Sequence, residues 1–248
     1  MDGPPTKEMA MNFAYDFDWS VLWRDPYGVM LIKGLGMTIF LGISAWIIAM
    51  AVGIAVGTLR ITKYRLLRMI GTAYVEIFRN IPLLVQMFFW FYAGPMLFGE
   101  TLARQINRLD GLAIYVSIIG LGLYTASRIA EHLRAGFASI SKDQYHAVLS
   151  TGMSQVQMYR HVIIPYALRL TIPPLTTEFL TVFKNTSIVM TIGVAELTFQ
   201  SYQIDAETFH GLEATTGAMF IYLLLGMTVV KFMDLVEKKY KIQGLMGR

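Results

Sequence analysis

The sequence predicts an all-α, polytopic membrane protein with about five transmembrane helices, and two observations carry that expectation. Hydrophobic residues make up 55% of the 248-residue chain and charged residues only 15%, whereas ordinary soluble domains are about 25% charged; mean hydropathy is +0.50. The apolar residues also fall into long segments divided by short polar ones, and roughly 20 apolar residues suffice for a helix to cross a bilayer. At this length the membrane domain leaves no room for a separate soluble one.

The first predicted span is Leu35–Leu59. In it Ala45, Ala49, Gly53 and Gly57 recur every fourth residue, a small-residue ridge that lets another helix approach closely or lines a pathway. The second, Pro82–Phe98, is short; helical pattern through Tyr74–Phe78 extends it upstream, with Pro82 as a kink or break. Its cluster Phe88, Phe89, Trp90, Phe91 and Tyr92 suits an interfacial belt and helix packing. The third, Leu112–Ala130, follows a turn at Asp110-Gly111. The fourth, Leu168–Ile192, contains Pro173-Pro174, where a kink is expected to free backbone carbonyls and open the helix. The fifth is Gly217–Phe232.

Basic residues set the expected orientation. Fifteen of the 21 lysines and arginines fall on one side: Arg60, Lys63, Arg65, Arg68 and Arg79, then Arg128, Arg134, Lys142, Arg160 and Arg169, then Lys231, Lys238, Lys239, Lys241 and Arg248. The positive-inside rule puts that side in the cytoplasm, the N-terminus outside and the C-terminus inside. The chain then divides into an N-terminal extracytoplasmic segment, 1–30, a transmembrane domain, 31–240, and a cytoplasmic tail, 241–248. The acidic start of the chain, with Asp2, Glu8, Asp16 and Asp18 and no apolar core, does not read as a signal peptide. The net charge of +4 reflects this topology rather than nucleic-acid binding. With no cysteine and no close pair among His132, His146, His161 and His210, no metal site is expected.

Between the third and fourth spans lies a polar stretch, residues 141–165, that membrane insertion alone does not explain. It carries two helix-start patterns, Ser141 to Gln144 and Ser154 to Gln157, with Gly152 between them as a helix stop. The second short helix is expected to end at Pro165. This helix–Gly–helix hump on the cytoplasmic surface has the form of a grip for another protein.

These residues resemble the membrane subunits of ATP-binding-cassette importers, in the polar amino-acid branch. The cytoplasmic signature of that family, Glu-Ala-Ala, three residues, Gly, nine residues, then Ile-x-Leu-Pro, aligns with His146-Ala147-Val148, Gly152 and Val162-x-Ile164-Pro165; His146 stands where the family has Glu. Arg79-Asn80-Ile81-Pro82-Leu83-Leu84-Val85-Gln86 is similar to the family's second-helix motif. Ala130-Glu131-x-x-Arg134-Ala135-Gly136 is similar to the end of its third helix, and Pro173 to Phe179 with Lys184 to Ser187 to its fourth. The resemblance spans about Lys33 to Lys239. It implies a type I importer permease fold in a bacterial inner membrane and a transport subunit with no catalytic residue or cofactor of its own. Its implied partners are ATPase subunits that use ATP and Mg, a second permease chain, identical or homologous, and a periplasmic amino-acid-binding protein. The absence of a phosphate-binding Gly-x-x-x-x-Gly-Lys-Ser/Thr segment agrees with that division of labour. For ATPase coupling it implies His146, Ala147, Gly152, Met153, Ser154 and Pro165.

The substrate pathway is sought among polar residues within spans, where charge is costly. Glu178, Thr181 and Asn185 share one face of the fourth span, with Lys184 turned away; Gln86 belongs to the second-helix motif. Glu178 lines the path or pairs with a neighbouring helix. Arg128, where many polar amino-acid permeases have an aromatic residue, resembles the glutamate/aspartate permeases, and its guanidinium suits a second carboxylate. The competing role for Arg128 is a salt bridge to Glu131, three residues on, or interfacial anchoring. Rival readings of the whole chain are a secondary transporter or channel, which lacks a visible internal repeat, and an intramembrane enzyme, which lacks a catalytic motif.

Overall fold

The computed structural model describes residues 15–240, and every regular element among them is helical. The tail 241–248 and the first 14 residues of the N-terminal segment lie outside the described residues. A 3-10 turn, Trp19–Trp23, begins the described chain, capped by the Asp18 side chain; hydrogen bonds from Ser20 hold the Asp18 carboxyl below its ordinary pKa. The first long helix, α1, is Tyr27–Ile61, longer at both ends than predicted. At about 1.5 Å per residue its 35 residues exceed the thickness of a hydrocarbon core.

After α1, α2 (Arg65–Asn80) is amphipathic and buries only Gly71 and Val75. It does not continue the second predicted span in line: α3 (Leu83–Phe88) leaves it at a bend of 103°. The cause is Pro82, which lacks an N–H and holds Ile81 in extended backbone. From α3 the chain passes through a π turn, Phe89–Ala93, into a 3-10 turn, Gly94–Phe98. The aromatic cluster is thereby spread around the axis: Phe91 packs on the core while Phe89 and Tyr92 are exposed. A short α4 (Glu100–Ile106) follows, and Gly111, in the left-handed region at φ 75°, turns the chain into α5 (Leu112–Ala138), two turns longer than expected.

The polar stretch folds as its helix-start patterns predict. Helices α6 (Lys142–Leu149) and α7 (Gln155–Met158) each open with a complete capping box, Ser141 with Gln144 and Ser154 with Gln157. Between them Gly152 sits at φ 83°. The expected stop at Pro165 is not found. A π turn, Tyr159–Ile163, carries the helix onward, and Pro165 lies in the first turn of α8 (Ile164–Asn185), where a missing N–H is tolerated. Nor do Pro173-Pro174 open the fourth span; α8 runs through both, then tightens to a 3-10 segment, Thr186–Ile192. Two elements close the chain, α9 (Leu197–Thr208) and α10 (Gly211–Tyr240).

Among the described residues α1, α5 and α10 are long and apolar enough to cross a membrane, and α2 with residues 83–98 makes a fourth if the bent pair is one span. Helix α8 falls short of that standard because Arg169, Glu178, Lys184, four threonines and three prolines share it. It packs against α1, α5 and α10, so Thr171 and Glu178 are buried in protein, while Arg169, Thr177 and Lys184 stay exposed.

The small-residue ridge of α1 resolves as a packing seam. A Cβ on Gly53 would meet Ile129 at 2.8 Å, one on Gly57 would meet Leu133 at 2.7 Å, and one on Gly122 of α5 would meet Ile48 at 2.8 Å. Contacts advance in step along both chains, so α1 and α5 run parallel at close range. Gly136 lies beside Ala167 and Thr171 and Arg128 beside Glu178, so α8 runs antiparallel to α5. Gly217, at the start of α10, packs on Leu22 before α1, so the start of α1 and the end of α10 lie at opposite ends. The main core, including Leu41, Ala45, Met87, Leu121, Val182 and Phe183, fills the space between α1, α3, α5 and α8.

The seam predicts a contrast between two glycines of α1. Gly53→Val drives a side chain into Ile129 and lowers thermal stability in detergent by about 1–3 kcal/mol. Gly36 faces open space, where an added Cβ would meet nothing within 4 Å, and accepts alanine with no loss; equal effects at the two positions would contradict the seam.

Candidate functional site

Three polar side chains meet where α5 and α8 cross. Arg128 and His132 are four residues apart on α5 and so share a face. The Arg128 Nε donates to Glu178 Oε2 at 2.6 Å, and His132 Nε2 lies 3.0 Å from Oε1, the other oxygen of the same carboxylate. Glu178 is 2% exposed, whereas 38% of the Arg128 side chain remains accessible. A carboxylate buried in apolar surroundings is tolerable only when paired in this way. The pairing of Arg128 with Glu131 is not formed; the guanidinium reaches across to α8 instead.

Glu131 is occupied by a second network. It receives Arg134 Nη2 at 2.6 Å from its own helix and the buried guanidinium of Arg60 from α1, with Arg79 of α2 at 4.0 Å. Three helices are joined at one carboxylate. The sequence reading missed Arg60 and His132, although each had a signal. Arg60 follows Gly53 and Gly57 on the buried stripe of α1, and His132 has the i+4 spacing from Arg128.

The remaining pathway candidates are not gathered at this crossing. Gln86 is buried at the α2–α3 corner, where its Nε2 donates to Phe78 O and Ile81 O, each at 2.8 Å, and its Oε1 has no partner. Thr181 returns its hydroxyl to Thr177 O at 2.7 Å. Lys184 is exposed, and Asn185 is half-buried at the end of α8. Two further acids, Glu196 and Glu213, are fully buried. Glu196 caps α9 through Phe199 N and accepts from Tyr222 Oη at 2.7 Å. Glu213 accepts from the Tyr15 hydroxyl and from Asp18 N at 2.6 Å.

Helices α6 and α7 stand on a small apolar cluster of their own, Ile140, Met158, Ile163 and Ala167, with Tyr145 and Val148 packed against it. Their other side is open: His146, Ala147, Leu149, Gly152, Met153, Ser154 and Val156 are exposed. Coupling candidates on α6 and in the α6–α7 turn therefore share one accessible surface, while Pro165 lies half-buried behind it at the start of α8.

The Glu131 network predicts unequal roles for its arginines. Arg60→Ala removes the inter-helix donor from α1, leaves Glu131 held by Arg134 of its own helix, and costs about 1.5–3 kcal/mol of stability. Arg79→Ala, at the half-exposed edge, costs under about 1 kcal/mol. Thermal unfolding of the purified protein compares the two.

Residues 48–242 match the family described as binding-protein-dependent transport system inner membrane component. The chain is 36% identical to the glutamate/aspartate import permease protein GltJ of Escherichia coli, over 94% of this chain and 98% of the relative. It is 32% identical to the glutamine transport system permease protein GlnP of the same organism, over 91% and 99%. A crystal structure described as an amino acid ABC transporter with histidines superposes with a TM-score of 0.79 at 28% identity, covering 91% of this chain and all of that one. The helices, their order and the match agree: the chain belongs to the binding-protein-dependent transport system inner membrane components, as an amino-acid ABC importer permease whose ATP is hydrolysed by a separate subunit.

Proposed function

We propose that this permease passes acidic amino acids, glutamate and aspartate, along a path beside α5 and α8. The observation that carries the reading is Arg128, a guanidinium on a helix long and apolar enough to cross a membrane, paired with Glu178 yet 38% accessible. Glutamate and glutamine have the same shape and differ by a carboxylate against an amide, and a guanidinium fork favours the carboxylate. The likeness to a permease named for glutamate/aspartate import supports the same choice; a glutamine permease at 32% identity is the competing assignment. The rival of a secondary transporter gives way to the importer family.

In this reading the basic end of the bundle, with Arg60, Arg134, Lys142 and Arg160, faces the cytoplasm. The surface of α6 and α7 then meets an ATPase subunit, which binds ATP and Mg. A second permease chain completes the path, and an external binding protein delivers the amino acid at the opposite end.

Arg128→Gln is expected to lower glutamate uptake by the reconstituted transporter about tenfold or more, the worth of one charge-assisted contact; wild-type uptake by an assembled variant would overturn the assignment. For the coupling surface, Gly152→Val forces an L side chain into the left-handed region at about 1–2 kcal/mol. Co-purification is expected to show the ATPase subunit lost, and full retention would sink the docking assignment.

A further inference from the structure

We infer that Glu178 is a positioning residue that presents Arg128 to the substrate and is not itself a substrate ligand. The inference rests on the reading that Arg128 receives the side-chain carboxylate of an acidic amino acid. A guanidinium offers donors in a planar fork, and the Nε–H lies on a different edge from the paired outer Nη hydrogens. Glu178 takes the Nε at 2.6 Å. That contact leaves the Nη donors for other partners, the Tyr124 hydroxyl among them, and 38% of the side chain stays accessible to a second carboxylate.

Glu178 is itself closed off. It is 2% exposed, and its two oxygens are divided between Arg128 and His132, two groups one helical turn apart on α5. Held at both oxygens, the carboxylate cannot rotate without losing a partner, so the guanidinium plane is fixed relative to α5 and α8 together. Its charge also makes Arg128 tolerable in apolar surroundings without blocking the outer edge. A substrate carboxylate therefore meets a donor pair already oriented, and ordering a long side chain on binding is avoided.

Calorimetric titration of the detergent-purified transporter complex with glutamate and with glutamine tests this assignment. Glu178→Ala is expected to weaken glutamate binding about tenfold and to leave glutamine unchanged, because only the carboxylate reads the orientation of Arg128. Glu178→Gln keeps the side-chain volume and an acceptor oxygen, so its expected loss is smaller, about threefold, and it carries the test if the alanine variant does not assemble. Equal weakening of both amino acids would make Glu178 a ligand of their shared backbone groups and overturn the inference; unchanged glutamate affinity in both variants would also overturn it. Arg128→Gln separates the two levels. Wild-type glutamate affinity there removes the role of Arg128 itself, whereas a loss there beside silent Glu178 variants removes only the positioning.

Discussion

A carboxylate placed among apolar helices must be met by a donor, because water is not there to solvate it. This chain meets the requirement repeatedly with a group from a different element. Glu178 of α8 is met from α5, Glu131 of α5 from α1, and Glu213 of α10 from the segment before α1. Each acid therefore fixes a helix-to-helix relation that apolar packing leaves free to slide or rotate. Apolar contacts set how near the helices come; the ion pairs set their register.

The second constraint is distance. Helices approach closely only where side chains are small, and the ridge Ala45, Ala49, Gly53 and Gly57 gives α1 a track on which α5 rests. The parallel course of these helices requires the chain to return between them, and α2 with residues 83–98 provides that return through a sharp corner at Pro82. Gln86 ties the corner by donating to two carbonyls that the proline and the extended Ile81 leave without helical partners. The polar residue is thus explained by local backbone accounting.

Much of this was legible in the sequence, for identifiable reasons. The two capping boxes and Gly152 follow from chemistry within a few residues, and they fold as read. Segment positions were legible because bilayer thickness imposes a length. Pro82 breaks the helix as read, but the other prolines were misread: at Pro165 a π turn and at Pro173-Pro174 packing on three helices keep the helix intact. Partners of charged residues were the least legible. Arg128 was weighed against Glu131, the nearest acid in sequence, while its partner lies 50 residues away. Spacing along one helix reveals which groups share a face, as with Arg128 and His132, but not what another helix brings to that face.

The unbroken helix from Gln155 to Asn185 has a mechanical meaning. Its first turns stand beside the exposed surface of α6 and α7, and its far part holds Glu178, roughly 35 Å along the axis at about 1.5 Å per residue. A stiff rod of this length converts a small tilt at one end into a sideways displacement at the other. The π turn at Tyr159–Ile163, where the ladder of hydrogen bonds changes step, is its one joint before the prolines. Force applied at the surface thus arrives at the buried carboxylate as movement of the whole rod rather than as unravelling of its end.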